Sequence, residues 1–287
     1  MARKIKESFL QEFLIGSLTP LLRYVQLDDT LNMELRGKEV TIYYRGGALL
    51  TIHEDSFNFD GLTEKYHKYF AFTKPDLLNI EEYIPKAKHL IDLYINTTRN
   101  HLGEKDIQQQ IARDNNYSQN SLGTDFFIID TEYQDLGRFD IVALKWDSTS
   151  PIRKLPENFK PTITIFEVKQ GEKSITGESG MESHLKDFED FCTTKDLFAF
   201  KSDMVEVFNQ KRKLKLIKGM EKYKEVKEVA LYIDFVFLLV NYKNKSTKLR
   251  TVLKNIKDCR FIYANPMGYG LYARHIISKQ KFIERFL

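Results

Sequence analysis

The fold of this chain is decided by two adjacent segments, Asp125-Phe-Phe-Ile-Ile-Asp-Thr-Glu-Tyr-Gln134 and Arg138-Phe-Asp-Ile-Val-Ala-Leu-Lys-Trp146. Both are rich in the aromatic and β-branched residues that favour strands, and the intervening Asp135-Leu136-Gly137 is typical of a hairpin turn. A third apolar run, Thr162-Ile-Thr-Ile-Phe-Glu-Val-Lys169, follows a proline-bearing loop. We therefore predict three strands of one sheet.

Helical patterns flank these strands. Apolar spacing predicts a helix from Glu104 to Asn115 and another that starts near Met181, and a further apolar strand runs from Val229 to Val240. A sheet with helices packed on its faces is the simplest solution for this order of elements. The predicted fold class is α/β (α+β mixed sheet).

The amino-terminal residues have a pattern of their own. Apolar residues at helical spacing predict an amphipathic helix that ends near Pro20, namely Leu10, Phe13, Leu14 and Leu18. Strand-like runs on both sides of Arg45-Gly46-Gly47 predict a β-hairpin or meander. The polar stretch from Asn96 to Gly103 indicates a boundary. We predict a β-rich amino-terminal subdomain for recognition or assembly, residues 1–98, and a second domain, residues 99–287.

Composition and short motifs exclude several classes of protein. The 44 Lys and Arg residues against 40 Asp and Glu residues give a net charge of +4, which permits a polyanionic partner without requiring one. Cys192 and Cys259 are far apart, which excludes a disulfide framework and a thiolate zinc site. The sequence contains no GxSxG, Walker A, HExxH or GxGxxG motif of the corresponding enzyme classes.

The apolar segments do not resemble membrane spans. The most apolar run, Val229 to Val240, contains Asp234 and is shorter than the roughly 20 residues that a span needs. Glu7, Gln11 and Glu12 interrupt the only stretch that resembles a signal peptide. We therefore expect a cytoplasmic protein with no membrane partner.

Acidic residues gather in the predicted hairpin and in the next strand. With a three-residue turn, Glu132 lies directly opposite Asp140, and their side chains share one face of the sheet. Glu167 and Lys169 are two residues apart on a strand, so they also point the same way. Carboxylate oxygens suit Mg²⁺ or Mn²⁺, and a lysine beside such a metal can orient or deprotonate an attacking water.

Asp140, followed after an intervening loop by Glu167-Val168-Lys169 on an apolar strand, resembles the PD-(D/E)XK nuclease superfamily, which has a restriction-endonuclease-like fold. The resemblance runs from Gly103 to Asn241 and implies a restriction-endonuclease-like core. It implies that Asp140 and Glu167 bind Mg²⁺ (or Mn²⁺) and that Lys169 acts on the attacking water. Phe139 stands where the family name has proline, which is not a metal ligand.

The same resemblance extends to two helices. Many members add an acidic residue from the helix before the first strand, and Glu104 is the match here; an ordinary helix amino-terminal acid is the alternative. Glu132 joins the predicted metal ligands through its cross-strand position alone. In the helix after the Glu167 strand, relatives often carry a polar residue that contacts substrate, and His184 falls near that position.

A basic stretch provides the predicted contacts to phosphate, namely Lys211, Arg212, Lys213 and Lys215. In the longer basic stretch from Lys211 to Lys227, a solvated helix face with Glu221, Glu225 and Glu228 explains the second half equally well. We expect a metal-dependent nuclease that acts on DNA in preference to RNA, with a homodimer left open because cutting both strands of a duplex commonly needs two sites. The alternatives are an inactive nuclease-like module that binds nucleic acid or protein, and a polar cluster that only specifies the fold.

Overall fold

The computed structural model describes residues 2–67, 75–98, 103–118, 121–135, 137–157, 159–241, 246–264 and 268–287. Residues 99–102, next to the predicted boundary, and residue 136 of the predicted hairpin turn lie outside this range. The helices are α1 (Glu7–Leu14), α2 (Thr19–Leu27), α3 (Glu64–His67), α4 (Ile80–Thr98), α5 (Glu104–Ala112), α6 (Ser150–Arg153), α7 (Met181–Thr194), α8 (Leu197–Lys213), α9 (Thr247–Asn255) and α10 (Lys279–Phe286). The strands are β1 (Asn32–Leu35), β2 (Glu39–Tyr44), β3 (Gly47–His53), β4 (Phe59–Asp60), β5 (Phe126–Gln134), β6 (Arg138–Lys145), β7 (Thr162–Gln170), β8 (Ile233–Val240), β9 (Arg260–Ala264) and β10 (Ile277–Ser278).

Within the described residues, the strands form two sheets. The amino-terminal sheet is antiparallel and has the order β1-β2-β3-β4, whereas the central sheet has the order β10-β9-β8-β7-β6-β5. The central sheet is mixed, because β5, β6 and β7 pair antiparallel while β7, β8 and β9 pair parallel. The predicted mixed α/β architecture is confirmed at this level, and one sheet lies on each side of residues 98/99.

The hairpin of β5 and β6 has the predicted register at its turn. Gln134 pairs with Arg138, and Tyr133 pairs with Phe139. On the other side of β6, the ladder with β7 runs from the Lys145–Thr162 pair to the Ile141–Phe166 pair. The next two residues along these strands are Asp140 and Glu167. The pairing of β6 with β7 thus stops where the predicted site begins, while β7 continues to pair with β8 through Glu167 and Lys169.

The amino-terminal helix is the main departure from the predicted elements. The helix predicted to end near Pro20 is two helices, α1 and α2, and Pro20 lies in the first turn of α2. The prediction was wrong because proline, which lacks an N–H group, is well tolerated in the first turn and so also marks a start. The predicted turn between β2 and β3 is confirmed, with positive φ at Arg45 (48°) and Gly46 (74°) as a two-residue hairpin loop requires.

The central sheet is covered on both faces by apolar side chains. Ile107 and Ile111 of α5 pack in one cluster with Ile128, Ala143 and Val168. A larger cluster joins the remaining apolar residues of β5, β6 and β7 to α8 and to the apolar residues of the amino-terminal sheet. In the part of the chain that the structure describes, no helix has both the length and the hydropathy that crossing a membrane requires.

Candidate functional site

Three carboxylates from three different elements meet at the end of the central sheet where the pairing of β6 with β7 stops. Glu104 comes from the first turn of α5, Glu132 from β5 and Asp140 from β6. One carboxylate oxygen of each lies within 4.8 Å of the other two. We call these three residues the acidic cluster. Its members are the residues that the hairpin geometry and the helix before the first strand predict.

Asp140 is held by neutral groups. Its Oδ1 accepts a hydrogen bond from Gln108 Nε2 at 3.0 Å, and its Oδ2 accepts one from the backbone N–H of Val168 at 2.8 Å. Among the described residues, it forms no ion pair. Burial, together with the charges of Glu167 and Glu104, raises the pKa of Asp140 well above its ordinary value. A buried carboxylate in this position favours the arrival of a cation.

The basic side chains next to the acidic cluster pair with Glu132. Its Oε2 accepts a hydrogen bond from Arg138 Nη2 at 2.7 Å and lies 3.1 Å from Lys105 Nζ. Burial acts to raise the pKa of Glu132, but the nearby Lys105 and Arg138 outweigh it, so the pKa is lowered. Like charges directly opposite each other destabilise a sheet, and for Glu132 and Asp140 the compensating positive charge lies on the Glu132 side.

Two arginines from the amino-terminal residues fix the backbone that carries Glu132. Arg3 Nε lies 3.0 Å from Asp130 Oδ2, and Arg36 pairs with the other oxygen of the same buried carboxylate. Arg36 Nη2 also donates to the carbonyl oxygen of Thr131 at 2.6 Å, and Arg3 Nη2 donates to that of Glu132 at 3.4 Å. Glu132 has a φ of +57°, a conformation that costs about 1–3 kcal/mol in a non-glycine residue and is typical of functional sites.

The second half of the site lies on β7. Lys169 Nζ donates to Glu167 Oε1 at 2.9 Å and to the carbonyl oxygen of Ser179 at 3.0 Å, so the two side chains do point the same way. The other oxygen, Glu167 Oε2, is buried and has no hydrogen-bond partner among the described residues. Burial raises the pKa of Glu167 to about 6, although Lys169 opposes the shift.

His184 of α7 contacts the same carboxylate. Its Nε2 lies 3.0 Å from Glu167 Oε1. Burial and the charge of Lys169 lower the pKa of His184 to about 4, so the imidazole is neutral near pH 7. The side chain is therefore engaged inside the site, and its predicted contact with nucleic acid stays a prediction.

The basic stretch is only in part what the sequence predicts. The prediction that Lys211 contacts phosphate was wrong, because its Nζ lies 2.8 Å from Glu34 Oε2 and both side chains are fully buried. Arg212 is half-buried and donates to the carbonyl oxygen of Tyr223. Lys213 and Lys215 are exposed, and their contact with phosphate stays a prediction.

Several residues of the site are not among those predicted from the sequence. Gln108 lies one helical turn after Glu104, and this spacing on α5 could have placed it beside the acidic cluster. Arg138 pairs with Gln134 across the hairpin, two pairs closer to the turn than Glu132, which its side chain contacts. Arg3 and Arg36 reach the site from distant parts of the sequence, and no local pattern signals them.

Comparisons of the chain with protein-family models, with curated proteins and with solved structures find no match. The donors are all carboxylate oxygens, which is the set that Mg²⁺ and Mn²⁺ favour. Glu167 Oε2, buried and without a partner, is the group that a bound cation would satisfy. The residues therefore fit a hard divalent cation.

Proposed function

We propose that this protein is a metal-dependent nuclease of the PD-(D/E)XK type, hydrolysing phosphodiester bonds in DNA in preference to RNA. The observation that carries the proposal is the meeting of the acidic cluster with the pair of Glu167 and Lys169. Among the described residues, neither Glu104 nor Asp140 forms an ion pair, so the negative charge of the site is only partly balanced. Stability alone is a poor reason for this arrangement, since a buried carboxylate without an ion-pair partner, as Asp140 is, is costly.

The central sheet supports a restriction-endonuclease-like core as part of the same proposal. The hairpin β5–β6 supplies Asp140, the adjacent β7 supplies Glu167 and Lys169, and α5 supplies Glu104. This is the order in which the family pattern places these residue types. The amino-terminal sheet is then a recognition or assembly module.

Each residue has a role that follows from its surroundings. Asp140 and Glu167, with Glu132 or Glu104, would hold Mg²⁺ (or Mn²⁺). The ion would polarise the phosphodiester and stabilise the charge on the departing oxygen. Lys169 orients or deprotonates the attacking water, and its Nζ is positioned for this by Glu167 and the Ser179 carbonyl.

A cleavage assay with matched lysine variants tests the proposal. Purified protein is incubated with Mg²⁺ or Mn²⁺ and with single-stranded and duplex DNA and RNA. We expect cleavage, and a loss of at least about 100-fold in Lys169→Met, as is typical when a group that moves a proton is removed. Lys257→Met is the control, because Lys257 pairs with Glu189 in the same way but is exposed. Absence of cleavage on every substrate, or a Lys169→Met variant as active as the wild type, would sink the proposal.

One observation favours an inactive binding module instead. Lys169 is only 2% exposed, and its ammonium group already has two acceptors. This alternative predicts salt-sensitive binding of nucleic acid without cleavage, and no effect of Asp140→Asn. A purely structural cluster predicts no response to metal, so a thermal-shift titration with Mn²⁺ separates it from the nuclease.

A further inference from the structure

A cleft of about 250 Å³ lies beside the acidic cluster. On one side it is lined by Lys105, Gln108 and Glu132, which are the residues that surround the cluster. On the other side it is lined by residues of the amino-terminal sheet and the loop that follows β1, including Tyr43 and Arg36. We call it the side cleft. A ligand bound at the acidic cluster is therefore within reach of the side cleft.

The charges of the side cleft are largely balanced. Its cations are Arg3, Arg36 and Lys105, and its lining carboxylates are Glu39 and Glu132. Both arginines pair with the same carboxylate, Asp130, and Lys105 pairs with Glu132. A site for a phosphate group needs cations that remain free to pair with it. The side cleft thus favours an uncharged ligand over a phosphate.

The polar groups of the side cleft are mostly amides. Four amide side chains, Asn32, Gln108, Gln109 and Gln134, line it, but the first three are buried and already hydrogen-bonded within the protein. Gln134 is exposed, and its side chain makes no hydrogen bond to any described residue. Tyr43 contributes an aromatic ring, and the guanidinium carbon of Arg36 lies 5.9 Å from the centre of this ring. An amide that is free to donate and accept, next to an aromatic ring, is a means by which proteins hold a nucleobase.

The size of the side cleft sets the number of bases. A volume of about 250 Å³ is below the range of roughly 300–1,000 Å³ that suits drug-sized ligands, so a duplex does not fit. One base does. We propose that the side cleft binds a single unpaired base of the nucleic acid whose phosphodiester lies at the acidic cluster. This inference rests on the proposed function, and it makes unpaired or extruded nucleotides the preferred substrate.

Equilibrium binding of bulged oligonucleotides tests the side cleft. A labelled duplex with one bulged nucleotide is compared with the same duplex in which the bulge is abasic, in DNA and in RNA. EDTA is present to prevent hydrolysis, and any repulsion by the acidic cluster is common to both ligands. We expect the wild type to bind the base-containing bulge about tenfold (about 1.4 kcal/mol) more tightly, because the base stacks on an aromatic side chain.

Two variants and one control complete the test. Tyr43→Leu and Gln134→Ala should each bring the ratio of the two dissociation constants towards one. Tyr232→Leu is the control, because Tyr232 is 61% exposed and does not line the side cleft, and this variant should retain the tenfold ratio. Gln134→Ala keeps the experiment decisive if Tyr43→Leu fails to fold. A wild-type ratio of one, or a tenfold ratio that survives in the folded variants, overturns the proposal. A tenfold ratio in a protein that cleaves no substrate supports base binding in the side cleft and refutes the nuclease proposal. Cleavage together with a ratio of one supports the nuclease proposal and refutes base binding in the side cleft.

Discussion

The ion pair of Lys211 and Glu34 offers the sharpest test of how the two sheets are joined. Lys211 Nζ donates to Glu34 Oε2 at 2.8 Å, and neither side chain has any solvent exposure. Glu34 Oε1 accepts a second hydrogen bond, from Asn32 Nδ2 at 2.9 Å. The pair therefore links α8, which packs on the central sheet, to β1 of the amino-terminal sheet.

Substitution of Lys211 isolates the cost of breaking this pair. Lys211→Met keeps the length of the side chain and leaves Glu34 as a buried, uncompensated carboxylate. Breaking a buried pair costs about 3–5 kcal/mol. That is a large share of the roughly 5–15 kcal/mol by which a typical domain is stable. In the double variant Lys211→Met with Glu34→Gln, no charge remains and the acceptor for Asn32 is kept, so we expect most of the loss to be recovered.

Unfolding in urea, followed by the fluorescence of the buried Trp146, measures these free energies. Trp146 is the single tryptophan of the chain, which makes the signal specific to the central sheet. Lys257→Met, at an exposed pair, should change the free energy of unfolding by less than about 1 kcal/mol. A Lys211→Met variant within about 1 kcal/mol of the wild type, or a double variant no more stable than the single one, would show that the buried pair does not stabilise the fold in this way.

Three further predictions concern the site and the basic stretch. The affinity for Mn²⁺, measured by calorimetry, should rise between about pH 5.5 and 7.5, because a raised pKa means that a proton must leave before the cation binds. Glu167, with a pKa of about 6, accounts for about a fourfold increase in affinity over this range, and Asp140 adds to it. An affinity that does not change with pH would contradict this prediction. Arg3→Ala should weaken Mn²⁺ binding several-fold, because Arg3 holds Asp130 and the carbonyl of Glu132 in place. Arg3→Lys should regain part of the lost affinity. Equal affinities in the wild type and Arg3→Ala would exclude a positioning role for Arg3. Lys213→Ala with Lys215→Ala should reduce the slope of log K against log salt for duplex DNA by about 1.8, and an unchanged slope would remove both lysines from the interface.

The sequence predicts best what depends on local periodicity. Next to its turn, the β5–β6 hairpin alternates between polar and apolar residues, and a turn of fixed length sets the register, so Glu132 and Asp140 could be paired without a structure. Glu167 and Lys169 follow from the same period of two. The helix near Pro20 shows the limit of this reasoning, because proline is compatible with both the end of one helix and the start of the next.

Burial of charged residues could not be predicted in this way. Lys211 lies in a basic run, and only its tertiary contact with Glu34, 177 residues away, shows that it points inward. The ion pairs of Arg3 and Arg36 with Asp130 are likewise tertiary contacts between distant parts of the sequence. Helical or strand periodicity says which residues share a face, but it does not say which distant segment covers that face.

The contacts around Glu132 argue that the amino-terminal residues belong to the site. The positive φ of Glu132 is a local cost that only the surrounding structure can hold. Arg3 and Arg36 supply that support, and both precede the predicted boundary at residues 98/99, whereas the carboxylates of the acidic cluster follow it. The side cleft is lined from both sides of the same boundary. The boundary thus separates the two sheets but cuts through the site, so the amino-terminal residues set the position of a carboxylate as well as the wall of the side cleft.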